Sequence, residues 1–189
     1  MALLPITISN YDGFRTDALD RASQGLGYDV DGYYGYQCWD LAAELWMHLD
    51  EFDDGTLYPQ TGPNYYASEC WTESRYINAG NTFTLIENIT DLKRGDVIVL
   101  GPSAISQTGH IAFCDENYRG STMNLLGQNQ VDPSLIYGHI PTVTALDISA
   151  FLGAFRLPAW NPAPTPSSTD STRARLPLIL TTLRLLHKV

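Results

Sequence analysis

Residues 27–49 read GYDVDGYYGYQCWDLAAELWMHL, an acidic loop rich in glycine and tyrosine followed by a strongly patterned segment. In that segment the apolar residues recur at helical spacing and form one stripe: Cys38, Leu41, Ala42, Leu45, Trp46 and Leu49. Its acidic residues, Asp40, Glu44 and Asp50, lie off the stripe. The spacing therefore predicts an amphipathic helix that begins at Cys38 and packs its apolar face on the rest of the domain.

The segments around this helix change from helical to extended patterns along the chain. Residues 10–26 and 67–78 are predicted to form two further helices, and the intervening 51–66 a loop. Short apolar runs that each follow a turn or a glycine then predict strands at 96–100, 110–114, 122–126 and 153–157. Helices followed by consecutive short strands indicate an α+β domain with an antiparallel sheet.

Composition divides the chain into three parts. Residues 1–158 have the mixed pattern of a folded domain, whereas 159–172 are rich in Pro, Ser and Thr, as linkers are. Residues 173–189 form a short basic, Leu-rich tail that is too small to bury a core of its own. This tail is compatible with a partner or oligomerisation helix, a weak membrane or anionic-polymer contact, or a truncated remnant, and the sequence does not choose among them.

Charge and composition exclude several classes of protein. The 189 residues carry a net charge of −10, which argues against nucleic acid as a partner because phosphate binding needs clustered Lys and Arg. Residues 1–54 hold eleven acidic and two basic side chains, a net charge of −9. The sequence contains no run of 18 apolar residues, so no transmembrane helix is expected, and residues 1–11 lack the pattern of a signal peptide. The three cysteines cannot all pair, so at least one free thiol is expected.

Cys38 is the candidate nucleophile. A thiol at a helix N-terminus lies near the positive end of the helix dipole, which favours the thiolate. His110 begins a predicted strand and is the candidate base, and Asn129, after the next strand, is the candidate that orients the imidazole. The alternative is that Cys38 is a buried small hydrophobic residue, as Cys70 and Cys114 are expected to be.

The loop before Cys38 has the ligand rhythm of a calcium site. Carboxylates at Asp29, Asp31 and Asp40 occupy positions 1, 3 and 12, and Tyr33 and Gly35 can offer backbone carbonyls at positions 5 and 7. Hard oxygen ligands favour Ca²⁺ over Zn²⁺. The alternative is a solvated turn of Asp and Gly residues that binds no ion.

Four motifs together resemble the CHAP family, the cysteine, histidine-dependent amidohydrolase/peptidase domain of phage endolysins and bacterial cell-wall hydrolases. They are the loop with Cys38, Leu92-Lys-Arg-Gly-Asp-Val-Ile-Val, Gly109-His110-Ile-Ala and Gly127-Gln-Asn129, and the resemblance covers most of residues 10–158. It implies a papain-like (NlpC/P60-like) fold and a peptidoglycan hydrolase, either N-acetylmuramoyl-L-alanine amidase or peptide endopeptidase. It also implies that Cys38, His110 and Asn129 are catalytic, and that Ca²⁺ binds the loop.

The chain departs from the family pattern at Gly127, where many members have an acid, so the third catalytic group is the least defined. Gln37 is an auxiliary candidate beside the oxyanion. Four aromatic side chains are candidates for a substrate groove, with ordinary core and rim packing as the alternative for each: Trp39, Trp71, Tyr65 and Tyr66. The missing acid also keeps open a non-catalytic wall-binding or virion structural module. A cysteine protease that acts on proteins is a third reading.

The resemblance also implies where the protein acts. The expected partner is bacterial peptidoglycan, with no nucleic acid and no membrane span. The expected location is the host cytoplasm until lysis, or the virion, with action at the bacterial cell wall. The oligomeric state and the target bacterium are not encoded in any pattern of the sequence.

Overall fold

A computed structural model describes residues 10–47, 64, 66–74, 83–103, 106–132 and 137–157. It contains three helices, which are α1 (Tyr11–Ser23), α2 (Cys38–Met47) and α3 (Glu69–Ser74). Six strands follow: β1 (Thr84–Ile86), β2 (Val97–Leu100), β3 (His110–Cys114), β4 (Thr122–Gly127), β5 (Thr142–Asp147) and β6 (Phe151–Arg156). The predicted linker 159–172 and tail 173–189 lie outside the described residues, so the division of the chain stays a prediction.

The six strands form one antiparallel sheet in the order β1-β6-β2-β3-β4-β5. Helices precede the sheet in the chain, so the predicted α+β class is confirmed, and the predicted helix from Cys38 is α2. The two strands at the edges, β1 and β5, were not predicted. β1 has only three residues, and β5 buries only one of its six side chains, so neither has the apolar run that marks the central strands.

Both faces of the sheet are covered. On the helix face, alternate residues of the central strands, such as Val97, Val99, Ile111 and Phe113, pack with the apolar side chains of α1 and α2. On the other face, the intervening residues form a second cluster that includes Cys114. Because both faces are buried, β2 and β3 read as continuous apolar runs with every residue buried.

Packing of the helices fixes α2 over β3. Phe14 of α1 lies 4.9 Å from Phe113, measured between ring centroids, and Trp46 of α2 meets Phe155 of β6 edge-on at 6.1 Å. These contacts hold α1 on β3 and the C-terminal part of α2 on β6. Within the described ranges, no helix has the length and apolar character that crossing a bilayer requires.

Gly109 sets the position at which β3 begins. Its φ of +82° lies in the left-handed region, and a Cβ there would lie 2.5 Å from the carbonyl oxygen of Leu100 and 2.7 Å from Cβ of Ser68. Ser68, next to α3, donates its backbone N–H to the Thr108 carbonyl at 3.1 Å. Only glycine allows this close approach of three backbone segments beside His110.

We therefore expect Gly109→Ala to lower the free energy of unfolding by about 2–4 kcal/mol, from the φ strain and the clash together. Gly25→Ala is the matched control, because Gly25 has a similar φ of +74° but nothing within 4 Å of the added Cβ. Urea unfolding of both variants separates the cost of the φ strain, which both share, from the cost of the clash, which only Gly109→Ala has. Equal losses in the two variants would show that the close packing at Gly109 contributes nothing.

Candidate active site

Cys38 is the first residue of α2, and its sulfur faces β3. The backbone N–H groups of Ile111 and Trp39 point toward the sulfur and favour the thiolate. Burial acts in the opposite direction and is the larger effect, with Asp40 adding a further increase, so the pKa of the Cys38 thiol is raised to about 11. The N–H groups at the helix N-terminus lower this pKa, as the sequence predicts, but the desolvation of the sulfur outweighs them. At neutral pH the resting group is a thiol.

His110 is the first residue of β3 and is 2% exposed. Burial lowers the pKa of its imidazole to about 4, and a hydrogen bond with Gln130 opposes this shift. At neutral pH the ring is therefore neutral and able to accept a proton. His110 is next in the chain to Ile111, whose N–H points toward the Cys38 sulfur, so both groups lie near the start of β3.

Two amide side chains in the turn after β4 form hydrogen bonds with the loop before Cys38. Gln128 accepts a hydrogen bond from the Tyr28 backbone N–H at 2.7 Å and donates to the Gln37 carbonyl at 2.9 Å. Asn129 donates its Nδ2 to Oε1 of Gln37 at 2.8 Å. The backbone carbonyl and the side chain of Gln37, the residue before Cys38, are therefore both bonded to the turn after β4.

Asn129 is predicted to orient the imidazole, but no hydrogen bond joins it to His110 in the part of the chain that the structure describes. Its side chain points to Gln37, its φ is +50°, and its buried Oδ1 has no hydrogen-bond partner among the described residues. This left-handed conformation breaks the alternation of side chains past the end of β4. The residue that contacts the imidazole is the next one, Gln130, which the sequence reasoning missed because no spacing signal marks it.

The side chain of Gln37 is bonded at both ends of its amide. Its Nε2 donates to the Tyr34 carbonyl at 2.6 Å, and its Oε1 accepts from Asn129. The side chain is half-buried beside Cys38, so it is close to the reacting group. Its role at the oxyanion stays a prediction.

The three carboxylates of the acidic loop come together in space. One oxygen from each of Asp29, Asp31 and Asp40 lies within 4.8 Å of the other two. Asp40 is 1% exposed, and burial raises the pKa of its carboxyl to about 7, with Asp31 and Asp29 raising it further by repulsion. The N–H groups of Val30 and Gln37 donate to its two oxygens at 2.9 Å each. A cluster with this much unbalanced negative charge fits a divalent cation with oxygen ligands.

The backbone ligands predicted for the same loop are less clearly arranged. The Tyr33 N–H donates to Oδ1 of Asp31 at 2.8 Å, which folds the loop around that carboxylate. The Gly35 carbonyl already accepts the Gln37 N–H at 2.9 Å, and Gly35 has φ +66°. A Cβ on Gly35 would lie 2.5 Å from the Tyr137 carbonyl, so glycine is needed there. The ligand roles of Tyr33 and Gly35 stay predictions.

The aromatic residues proposed for a groove differ from one another in how deeply they are buried. Trp71 is 5% exposed, and its ring lies 5.3 Å from that of Phe155, so it belongs to the core and the groove prediction for it is wrong. Trp39 is half-buried and packs on the same core cluster. Tyr66 is 43% exposed, whereas Tyr65 lies outside the described residues. For Trp71 the structure agrees with the alternative reading, ordinary core packing.

Comparisons with known proteins agree with this architecture. The chain is 31% identical over 109 residues to the D-alanyl-L-alanine endopeptidase of Streptococcus phage B30, which is 57% of this chain and 23% of that protein. It therefore spans less than a quarter of the length of that curated relative. No family model matches the chain.

Two solved structures are similar to this chain. The endolysin LysIME-EF1 superposes with a TM-score of 0.58 at 26% identity, covering 76% of this chain and 64% of that one. Ly7917 gives a TM-score of 0.49 at 17% identity, with 76% and 62% covered. The likeness to LysIME-EF1, together with the antiparallel sheet and its packed helices, supports the papain-like fold that the sequence predicts.

Proposed function

We propose that this chain is the catalytic domain of a phage endolysin of the CHAP type, a peptidoglycan hydrolase that cleaves an amide bond with Cys38 as nucleophile and His110 as base. One observation carries the proposal: the Cys38 sulfur at the start of α2 faces the start of β3, where His110 is buried and neutral. The names of the phage endopeptidase and of the endolysin to which the chain is similar support the choice of substrate.

The reaction proposed is acyl transfer in two steps. In the first, His110 removes the Cys38 proton as the sulfur attacks the carbonyl carbon, and the imidazolium then protonates the amine as the C–N bond breaks. In the second, His110 removes a proton from water, which attacks the thioester and releases the acid while the proton returns to sulfur. The backbone N–H of Cys38 is the proposed oxyanion donor, with the Gln37 amide, fastened by Asn129, as an auxiliary group.

Two bonds in peptidoglycan suit this chemistry. One joins N-acetylmuramic acid to L-alanine, and the other is a peptide bond in the stem or cross-bridge. The phage relative is a D-alanyl-L-alanine endopeptidase by name, which favours the peptide bond. The cell wall is then the partner, reached from the host cytoplasm at lysis or from the virion.

Purified cell walls test the proposal. We expect the turbidity of a wall suspension to fall and free amino groups to appear, without new reducing sugar ends. Wall binding with no released product would instead identify the non-catalytic module that the sequence left open. Digestion of casein as fast as of walls would identify a general protease.

We also propose that Asp29, Asp31 and Asp40 hold one Ca²⁺, with the Tyr33 and Gly35 carbonyls completing the ligands. The observation in support is the meeting of three carboxylates around Asp40, whose buried charge has no described cation to balance it. The ion would supply that balance. Asp40 lies in the first turn of α2, so its ordering also fixes the direction from which Cys38 approaches its substrate.

Calcium is therefore expected to stabilise the fold. At an ion concentration about 100 times the dissociation constant, binding adds ~2.7 kcal/mol, which raises the melting temperature by about 5–10 °C. EGTA should remove the increase and excess Ca²⁺ restore it in differential scanning calorimetry. Asp31→Asn should lose the response, whereas Asp20→Asn, an exposed residue of α1, should keep it. A melting temperature that changes with neither EGTA nor Ca²⁺ would show that the loop binds no calcium.

A further inference from the structure

Gln130 occupies a space that exists because residue 127 has no side chain. Gly127 is the last residue of β4, and a Cβ there would lie 2.4 Å from Oε1 and 3.0 Å from Cδ of Gln130. Cβ of Ala112 on β3 lies 3.1 Å from the same point. The amide of Gln130 therefore folds back over the end of β4 and reaches β3, where its Oε1 lies 3.3 Å from Nε2 of His110.

The orientation of this amide is fixed by its other partners. Nε2 of Gln130 donates to the carbonyl oxygens of Leu125 at 3.0 Å and Thr142 at 2.8 Å. Rotating the amide by half a turn would place Oε1 against those two acceptors, so the observed orientation is the one that the network requires. Oε1 is therefore the atom that faces His110, and it can only accept a hydrogen bond.

An acceptor at Nε2 decides which ring nitrogen of a neutral imidazole carries the proton. With Oε1 of Gln130 opposite, Nε2 must be the protonated nitrogen, because two lone pairs would otherwise face each other in a buried site. Gln130 is 4% exposed and His110 is 2% exposed, so no solvent relieves that repulsion. Nδ1 is then left with its lone pair and is the nitrogen that accepts protons.

We propose that Gln130 is the positioning residue that holds His110 as the Nε2–H tautomer, with Nδ1 as the base that takes the Cys38 proton. The second half of this statement rests on the proposed function, whereas the tautomer does not. Burial keeps the ring neutral near pH 7, the only state in which the choice of tautomer matters. The amide thus does the work that an orienting carboxylate does in other hydrolases, without adding a charge to the site.

The tautomer of the wild-type protein is the first test, by ¹⁵N–¹H correlation spectra of the His110 ring at pH 7. We expect an Nε2–H signal in at least about tenfold excess, since a buried unmatched acceptor pair costs enough to shift the equilibrium that far. A predominant Nδ1–H form would overturn the proposal. This measurement needs neither substrate nor lytic activity, so it also decides the point if the protein proves not to digest walls.

Two variants then test the consequence for catalysis. Gln130→Met keeps the length of the side chain but removes the acceptor, and Gly127→Ala keeps Gln130 but fills its space. We expect each to lose the tautomer preference and to lower kcat on a soluble muropeptide by about 10–100-fold, with KM within about twofold. Thr144→Val is the control, because the Thr144 hydroxyl bonds the Thr142 hydroxyl at 3.3 Å and makes no bond to Gln130 among the described residues, and kcat should stay within about threefold. Unchanged kcat and tautomer in folded Gln130→Met would overturn the positioning role.

Discussion

Replacing Cys38 with alanine is expected to abolish wall lysis, with a fall in rate of ~10³-fold or more. The sulfur forms the covalent intermediate in the proposed reaction, and no other described thiol is placed to substitute for it. Cys70 is fully buried in α3, and Cys114 lies on the opposite face of the sheet. Lytic rate is measured from wall turbidity, together with circular dichroism to show that the variant is folded.

Cys114→Ala is the control for this variant. It removes a thiol from β3 itself, the strand that carries His110, but from the face that α2 does not cover. We expect it to lose some stability through the cavity and to keep its activity within about threefold. If Cys38→Ala lysed walls as fast as Cys114→Ala, the nucleophile would have to be another group.

Replacing Arg156 with methionine is expected to cost about 3–5 kcal/mol of stability, the usual cost of breaking a buried ion pair on one side. Arg156 contacts Asp96 through two parallel bonds, Nε to Oδ1 at 2.8 Å and Nη2 to Oδ2 at 2.7 Å. Asp96 is 0% exposed, so the variant would leave a carboxyl group desolvated and without its cation. Burial already raises the pKa of Asp96, and Arg156 is the main group that opposes this increase.

Thermal unfolding measures this cost against an exposed ion pair. For a domain of this size the expected loss corresponds to a fall in melting temperature of about 6–20 °C. Arg119→Met removes a guanidinium that binds Glu116 at 3.0 Å but is 62% exposed, and should change stability by less than about 1 kcal/mol. Equal changes in the two variants would show that the Asp96–Arg156 pair contributes no more than a surface contact.

The parts of the site that the sequence predicted are those set by local pattern. The apolar stripe from Cys38 fixes the helix and its buried face, and the apolar runs of β2 and β3 fix the strands against which it packs. The spacing of Asp29, Asp31 and Asp40 anticipates their meeting, because a short loop joins them to the first turn of α2. In each case the relevant residues lie within one element or one turn of each other.

The parts that were missed depend on the meeting of distant segments. Gln130, and not the predicted Asn129, is bonded to His110. This follows from the left-handed backbone of Asn129 and from the space that Gly127 leaves open, and no residue spacing in the sequence indicates either feature. The net pKa of the Cys38 thiol does not follow from its position in the helix, because it also depends on how deeply the folded chain buries the sulfur. The sequence leaves Trp71 open between groove and core, because its contact with Phe155 joins residues more than 80 positions apart.

The most direct test of the proposed amide hydrolysis is mass spectrometry of purified peptidoglycan digested in water enriched in ¹⁸O. The account predicts fragments with a new amino group on one side of the cut and, on the other, a carboxyl group that carries one solvent oxygen, with the glycan chains intact. Cys38→Ala should yield none of these fragments. Products with new reducing sugar ends and no new amine, or the same fragments from Cys38→Ala, would contradict it.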